Sequence, residues 1–101
     1  MDRSEVCFLI SRTHTRDQNG IMQASETERR VFCNVQSVSA SEWFEGGRSG
    51  LNPVYRFTMF EPDYNGQEIV RFNGVRYAVY RTYHAKDNLI ELYVQKEGGV
   101  L

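Results

Sequence analysis

The stretch QEIVRFNGVRYAVYRTYHAKDNLIELYVQK, residues 67–96, decides the fold of this chain. Asn73-Gly74 lies between two runs rich in β-branched and aromatic residues, and an Asn-Gly pair tolerates the positive φ angles of a type I′ turn. The sequence therefore predicts a tight hairpin. Its cross-strand pairs are Phe72 with Val75, Arg71 with Arg76 and Val70 with Tyr77.

A second turn is predicted at residues 85–88, where Ala-Lys-Asp-Asn folds residues 89–96 back onto residues 75–84. A four-residue loop fixes the register of this second hairpin. The predicted pairs are Val79 with Val94, Arg81 with Leu92, Tyr83 with Ile90, Tyr80 with Tyr93 and Thr82 with Glu91. Three strands joined by tight turns form a meander, so the rest of the chain must cover its apolar face.

Further strands are predicted at residues 5–12, 29–38 and 54–60 from their apolar and alternating patterns. Asn19-Gly20 is another turn signal, followed by a possible short strand. The polar residues 25–30 fit two interpretations, either the mobile tip of a long hairpin or the start of the next strand.

One short helix is predicted between the strands, at residues 39–45. Ser39 can cap it, and Glu42 stands three residues later in capping-box spacing. Gly46-Gly47 ends it. A helix this short needs packing to hold it.

The 101 residues fit a single domain spanning residues 1–101. We expect a mainly β fold, a small antiparallel barrel or sandwich of about six to seven strands with one short inserted helix. The predicted core residues are Val31, Val35, Tyr55, Phe57, Val70, Phe72, Val79, Leu92 and Val94.

Composition excludes several classes. The formal net charge of −1 argues against a binder with a large basic surface. No apolar run approaches the ~20 residues of a membrane span, and the N-terminus lacks the apolar core of a signal peptide. We expect a soluble intracellular protein with no membrane partner. Cys7 and Cys33 are expected to be buried free thiols, a bridge between neighbouring strands being the alternative.

The sequence offers no catalytic constellation. His14 and His84 belong to no metal-ligand spacing, and no Cys-x-x-Cys pair occurs. The segment Gly47-Arg48-Ser49-Gly50 is not a nucleophile elbow, because its second glycine comes one residue early. We therefore expect no enzymatic activity, no metal and no cofactor.

Single-stranded nucleic-acid binding is an open alternative, because small barrels stack bases on exposed aromatic residues beside basic ones. The residues that fit this interpretation are Tyr77, Tyr80, Tyr83, Tyr93, Arg71, Arg76 and Arg81. The competing interpretation is that alternate tyrosines fill the barrel while the others form cross-strand pairs. Glu68 and Glu91 on the same strands favour the latter.

Two long segments together resemble a known family: RRVFCNVQSVSASEWFEGG, residues 29–47, and residues 53–99. The most specific pieces are Phe32-Cys33 followed by Ser37-Val38, the Ser-x-x-Glu-Trp-Phe segment, Asp63-Tyr64-x-Gly66, and Gly74-x-x-Tyr77 running into Tyr80-Arg81-Thr82. In order and spacing they resemble the head-closure (head–tail joining, or stopper) proteins of long-tailed bacteriophages. The resemblance spans residues 5–99, but residues 13–28 depart from any family pattern.

The resemblance implies a β-barrel-like structural protein of the virion neck, made in the host cytoplasm. Such proteins assemble as a ring below the portal and adaptor, retain packaged DNA and present the tail-docking surface. The implied partners are further copies of the chain, the adaptor and portal complex, tail proteins, and DNA held without sequence-specific recognition. A tail-completion ring protein is the alternative within phage assembly.

Residues 39–52 are expected to be the working segment, because they form the longest interruption between strands. Ordering on assembly would narrow the channel of the ring. The alternative is a plug on the barrel end. The assembly or gating residues are Ser39, Glu42, Trp43, Phe44, Gly46, Gly47, Arg48 and Gly50. Arg71 and Arg76, which oppose each other in the first hairpin, need nearby carboxylates or reach a neighbouring subunit.

Overall fold

The computed structural model describes residues 4–38 and 53–97. They form six strands: β1 (Glu5–Arg16), β2 (Met22–Ser37), β3 (Pro53–Phe60), β4 (Ile69–Phe72), β5 (Val75–Ala85) and β6 (Leu89–Lys96). A 3-10 turn at Glu61–Asp63 is the only helical segment in these two ranges. No helix there has the length and apolar character needed to cross a membrane. The predicted helix at residues 39–45 lies outside the described residues.

The strands close into an antiparallel barrel in the order β1-β2-β3-β6-β5-β4, with β4 pairing back onto β1. The predicted mainly β fold is confirmed, and of the two architectures considered it is the barrel. Closure pairs the backbone groups that an open sheet would leave at its edges.

The core fills the inside of the barrel with side chains from all six strands. The buried cluster comprises Cys7, Leu9, Val31, Cys33, Phe57, Met59, Val70, Phe72, Tyr77, Ile90, Leu92 and Val94. Of the nine residues predicted for the core, Val35, Tyr55 and Val79 are half-buried and pack against this cluster, and the other six are buried.

Aromatic rings hold one part of this core together. The Tyr55 ring meets the rings of Phe72 and Tyr77 edge-on, with centroids 6.0 and 5.4 Å apart. Phe57 and Phe72 pack in the same way at 5.5 Å. Such edge-to-face pairs add to the burial of apolar area.

The β4–β5 hairpin has the predicted register throughout, with Phe72 opposite Val75 and Arg71 opposite Arg76. Its turn residues Asn73 and Gly74 have φ angles of 52° and 78°. Both lie in the left-handed region that a type I′ turn requires, so the local signal alone determined this hairpin.

The β5–β6 hairpin departs from the predicted register. Val79 does oppose Val94, but Tyr80 forms a bulge, so that Arg81 opposes Tyr93. The observed pairs beyond the bulge are Thr82 with Leu92, Tyr83 with Glu91 and His84 with Ile90. The predicted pairs of Tyr80 with Tyr93, Arg81 with Leu92, Thr82 with Glu91 and Tyr83 with Ile90 are therefore wrong.

The bulge and the turn have one physical explanation. Leu92 and Ile90 point into the core, so the predicted register would have turned Arg81 and Tyr83 toward the inside as well. The extra residue at Tyr80 turns them outward. The loop is correspondingly one residue shorter than predicted, because Ala85 pairs with Leu89 and the following residues 87 and 88 adopt left-handed conformations that Asp and Asn tolerate.

The β1–β2 hairpin is longer than predicted. β1 runs on to Arg16 rather than ending at residue 12, and β2 begins at Met22 rather than at residue 29. Residues 25–30 are thus part of one continuous strand, which includes the possible short strand after Gly20. Only three residues of β1 pair with β4, ending at Ile10 opposite Ile69, so the hairpin extends beyond the barrel.

Candidate assembly surface

The projecting part of the β1–β2 hairpin consists of residues 11–16 and 22–27 with the turn between them, and we call it the arm. Its two strands pair with each other, from Ser11 opposite Thr27 to Arg16 opposite Met22. At about 3.4 Å per residue the arm is about 20 Å long. The longest dimension of the molecule is 50 Å.

Asp17 organises the tip of the arm. Its Oδ1 accepts hydrogen bonds from the backbone N–H groups of Asn19 (2.9 Å) and Ile21 (2.8 Å). Its carbonyl accepts a third from Gly20, whose φ of 78° is left-handed. This turn confirms the Asn-Gly signal, and it leaves Ile21 and Met22 more than half exposed at the tip.

The two faces of the arm differ in chemistry. One face continues the inner face of the barrel and carries only uncharged polar side chains: Ser11, Thr13, Thr15, Gln23, Ser25 and Thr27. On this face the hydroxyls of Thr13 and Ser25 are hydrogen-bonded at 2.7 Å. The opposite face carries the charges, with the Arg12 guanidinium 3.2 Å from the Glu26 carboxylate.

An arginine of β5 ties the arm to the barrel. Arg76 donates two hydrogen bonds to the Glu26 carboxylate, at 3.0 and 2.9 Å. It donates two more to Glu97, at 2.8 and 3.2 Å. A guanidinium that holds two carboxylates in paired hydrogen bonds fixes both in direction as well as distance. The arm is therefore held at a defined angle to the barrel.

These contacts also shift the ionisation of the groups. Hydrogen bonds from Arg76, and then from Arg12, lower the pKa of Glu26 from 4.5 to about 2. Glu26 and Glu97 in turn raise the pKa of Arg76 above its ordinary value. The network stays fully charged at neutral pH.

Arg71 lies beside this network on β4. It forms an ion pair with Glu28 of β2, and its guanidinium lies over the ring of Phe8, 4.6 Å from the ring centre. Arg71 and Arg76, which oppose each other in the first hairpin, are thus both paired with carboxylates of their own chain. This is one of the two possibilities predicted from the sequence, the other being contact with a neighbouring subunit. Their role as subunit contacts stays a prediction.

The tyrosines considered for base stacking do not form one exposed platform with the nearby arginines. Tyr77 is buried in the core. The ring of Tyr93 is covered by the guanidinium of Arg81 at 4.0 Å, and its hydroxyl donates to Glu91 at 2.8 Å. Tyr83 is exposed. Tyr77 and Tyr93 thus fit the interpretation in which the tyrosines fill the core or form cross-strand contacts, and Tyr83 does not.

The connection between β3 and β4 crosses the barrel end from which the arm projects. Tyr64 packs against the core, and its hydroxyl donates to the backbone carbonyl of Gln67 at 2.8 Å. Burial, and the nearby Glu68, raise the pKa of Tyr64. Asp63 pairs with Arg29 of β2 at 3.3 Å, which links the connection to the base of the arm.

A pocket of about 310 Å³ lies between this connection and the β5–β6 turn. Here His84 Nδ1 is 3.4 Å from Glu61 Oε2, and Tyr64 and Ile90 contribute apolar walls. Within residues 4–38 and 53–97, no group of three or more His, Cys, Asp or Glu side chains is placed to hold a metal ion. His14 lies on the arm, whereas His84 lies near the end of β5.

Cys7 and Cys33 are buried free thiols, as predicted. Cys7 opposes Val31 and Cys33 opposes Glu5, so the two thiols are diagonal neighbours on β1 and β2. A hydrogen bond with Cys33 and burial raise the pKa of the Cys7 thiol. The same hydrogen bond lowers the pKa of the Cys33 thiol. Both side chains are fully buried and pack in the core cluster.

The predicted working segment, residues 39–52, lies outside the described residues, and so do all eight of its predicted site residues. Its flanks are described: Val38 donates a backbone hydrogen bond to the carbonyl of Val54 at 3.4 Å. Both flanks lie at the barrel end opposite the arm, because β2 ends and β3 begins there.

Sequence reasoning included a long hairpin as one of two interpretations of residues 25–30, but it did not predict the length of the arm, and it missed the tether. A signal for the arm was present, since Thr13 and Thr15 alternate with Arg12, His14 and Arg16 in the two-residue period of a strand. The tether had no local signal, because Glu26 and Arg76 are 50 residues apart in sequence.

No protein-family model matches this chain, and no curated protein gives a significant match.

Proposed function

We propose that this chain is a structural subunit of the neck of a long-tailed bacteriophage, a head-closure protein. It assembles as a ring below the portal and adaptor, helps to retain the packaged DNA and offers a docking surface to the tail. The observation that carries the proposal is the closed barrel whose two ends bear different elements. The arm leaves one end, and at the other end β2 ends and β3 begins.

Such a layout suits a ring subunit in a stacked assembly. A subunit there needs lateral contacts to its neighbours and separate contacts above and below. A rigid barrel supplies the spacing, and elements at opposite ends supply the axial contacts. A formal net charge of −1 lets identical copies pack closely without strong mutual repulsion.

The residues behind the family resemblance have structural roles in the barrel. Cys33 and Tyr77 lie in the core, and Tyr64 covers a barrel end. Gly66 and Gly74 occupy left-handed turns, with φ angles of 76° and 78°. The motifs therefore support the proposal as determinants of a shared fold, and they assign no chemistry.

The test is cryo-electron microscopy of a neck reconstituted from the purified chain and the portal–adaptor complex of its own phage. We expect a ring of closed barrels below the adaptor. Particles from a phage that lacks the chain should lose DNA and fail to bind tails. If those particles keep their DNA and bind tails, the proposal is wrong. Binding to isolated tail tubes instead of portal–adaptor complexes would identify a tail-completion protein.

We also expect the isolated chain to be monomeric or weakly associated and to form its ring on the adaptor. The reason is timing, because a ring that closed before packaging ended would block the channel. Sedimentation velocity at micromolar concentration measures this, and a stable large ring from the purified chain alone would contradict it.

A further inference from the structure

The arm exposes two strand edges that no other described strand covers. β1 pairs with β4 only as far as Ile10, so residues 11–16 have a partner on one side alone. β2 pairs with β3 only from Cys33 onward, which leaves residues 22–32 with a second free edge. Unpaired N–H and C=O groups in such a row are a template for adding another strand.

Over the length of the arm the two edges differ in charge. Residues 11–16 include Arg12 and Arg16 and no acidic side chain, whereas residues 22–27 include Glu26 and no basic one. Arg16 forms no ion pair with any described residue. Two β1 edges paired antiparallel about His14 would place Arg12 opposite Arg16, whereas a β1 edge against a β2 edge in the register of the hairpin places Arg12 opposite Glu26. Like charges directly opposite are destabilising, so the favoured contact joins β1 of one copy to β2 of the next.

Space for an added strand exists beside β1. A cleft of about 420 Å³ runs between the free edge of β1 and the connection before β4, lined by Ile10, Arg12 and His14 on one side and by Gly66 and Glu68 on the other. At the usual interstrand spacing of about 4.8 Å, a strand added to β1 would run along this cleft. From Ile10 toward the N-terminus of β1, β4 already occupies this edge.

The hydroxyl face of the arm, its tether and its tip are also compatible with strand addition at these edges. Its uncharged hydroxyl face brings no like charges together when arms lie side by side. The tether from Arg76 to Glu26 fixes the direction of both edges, which lowers the cost of ordering them on association. Neighbouring tips would bring Ile21 and Met22 of adjacent copies together and remove them from water.

We propose that copies of this chain associate arm to arm, with residues 22–27 of one copy adding as an antiparallel strand to residues 11–16 of the next. Because the two edges differ, the contact is head-to-tail and can close into a ring rather than a two-fold dimer. The inference deepens the proposed ring by naming its lateral contact, although its test needs no phage partner.

Disulfide trapping tests the proposal. Thr13→Cys and Ser25→Cys are made in separate chains of different mass, mixed at millimolar concentration and oxidised with diamide, which takes up the two electrons and two protons of each thiol pair. Both variants lose the same hydroxyl contact. The control is Lys86→Cys, which places a thiol on the exposed β5–β6 turn. We expect Thr13→Cys to cross-link to Ser25→Cys several-fold more than to the control.

Equal yields for the control would overturn the proposal. An excess of Thr13→Cys or Ser25→Cys homodimers would also overturn the proposal, because it would mean that two identical edges pair about a two-fold axis. Hydrogen exchange on the unmodified chain gives a second readout. Amides of residues 11–16 and 22–27 should gain protection as concentration rises from micromolar to millimolar, while those of Asn73 and Gly74 stay unchanged. Absence of that gain would also refute it.

The outcomes separate the two proposals. Edge-to-edge cross-linking in a chain that does not bind portal–adaptor complexes supports the arm contact and removes the neck assignment. A neck ring in which Thr13→Cys and Ser25→Cys do not cross-link keeps the neck assignment and removes the arm contact.

Discussion

Replacing Arg76 with alanine should release the arm from the barrel, and the effect can be read at Glu26. In the native protein the guanidinium donates to both carboxylate oxygens of Glu26, at 3.0 and 2.9 Å, and the pKa of Glu26 is about 2. Arg12 remains within 3.2 Å in the variant. The pKa of Glu26 should therefore rise by at least about one unit but stop short of 4.5.

The assay is a pH titration of the Glu26 side-chain carboxyl carbon by nuclear magnetic resonance. Arg30→Ala is the matched control, because it removes an arginine of β2 whose described contact is the ring of Phe32. The control should leave the pKa of Glu26 low. If Glu26 titrates near 4.5 in the unmodified chain, or if both variants shift it equally, the tether does not exist as described.

The direction of the pH dependence follows from the same shift. The folded-state pKa of Glu26 lies below its ordinary value, so its stabilising contribution is complete above about pH 4.5 and is lost as the pH falls through about 2. In Arg76→Ala the pKa is higher, so the contribution is smaller and disappears at higher pH. As the pH is lowered, hydrogen exchange across the arm should therefore begin to accelerate at a higher pH in Arg76→Ala than in the unmodified chain.

Three further predictions concern the core, the segment 39–52 and nucleic acid. Leu92→Ala should lower the free energy of unfolding by about 3–4 kcal/mol, because it removes three fully buried carbon atoms and leaves a cavity. The half-buried Val79→Ala should cost only about 1 kcal/mol; an equal loss in denaturant titrations would contradict the burial described. Residues 42–50 should exchange amide hydrogens faster than residues 75–83 in the free subunit and slow down on docking. If residues 42–50 are already as protected as residues 75–83 before docking, the segment is a plug on the barrel end and not a gate. Fluorescence anisotropy should show only weak binding of single-stranded DNA, because Arg71 and Arg76 already pair with carboxylates. Tight binding that falls steeply with salt would favour the nucleic-acid alternative.

The parts of the fold that were predictable are those with a local cause. Asn73 and Gly74 determine their turn by backbone conformation alone, so the register of β4 on β5 followed from two residues. The β-rich class followed in the same way from short alternating runs. Barrel closure through β4 and β1 had no such local signal, because those strands are about 60 residues apart in the chain.

The parts that were missed depend on distant or compensating effects. Residues 25–30 contain no apolar side chain, so the usual strand signal was absent although the backbone is extended there. The tether of Glu26 to Arg76 exists only because the barrel brings β2 near β5. Residues 39–52, which carry most of the predicted site, lie outside the described residues and leave that part of the prediction untested.

The bulge at Tyr80 has an evolutionary consequence. The bulge adds one residue to β5. Deleting Tyr80 alone would leave a regular ladder, because the turn sets the pairs from Ala85 to Arg81 and Val79 would then follow directly opposite Val94. Homologous chains can therefore gain or lose a residue at this position without a matching change in the turn.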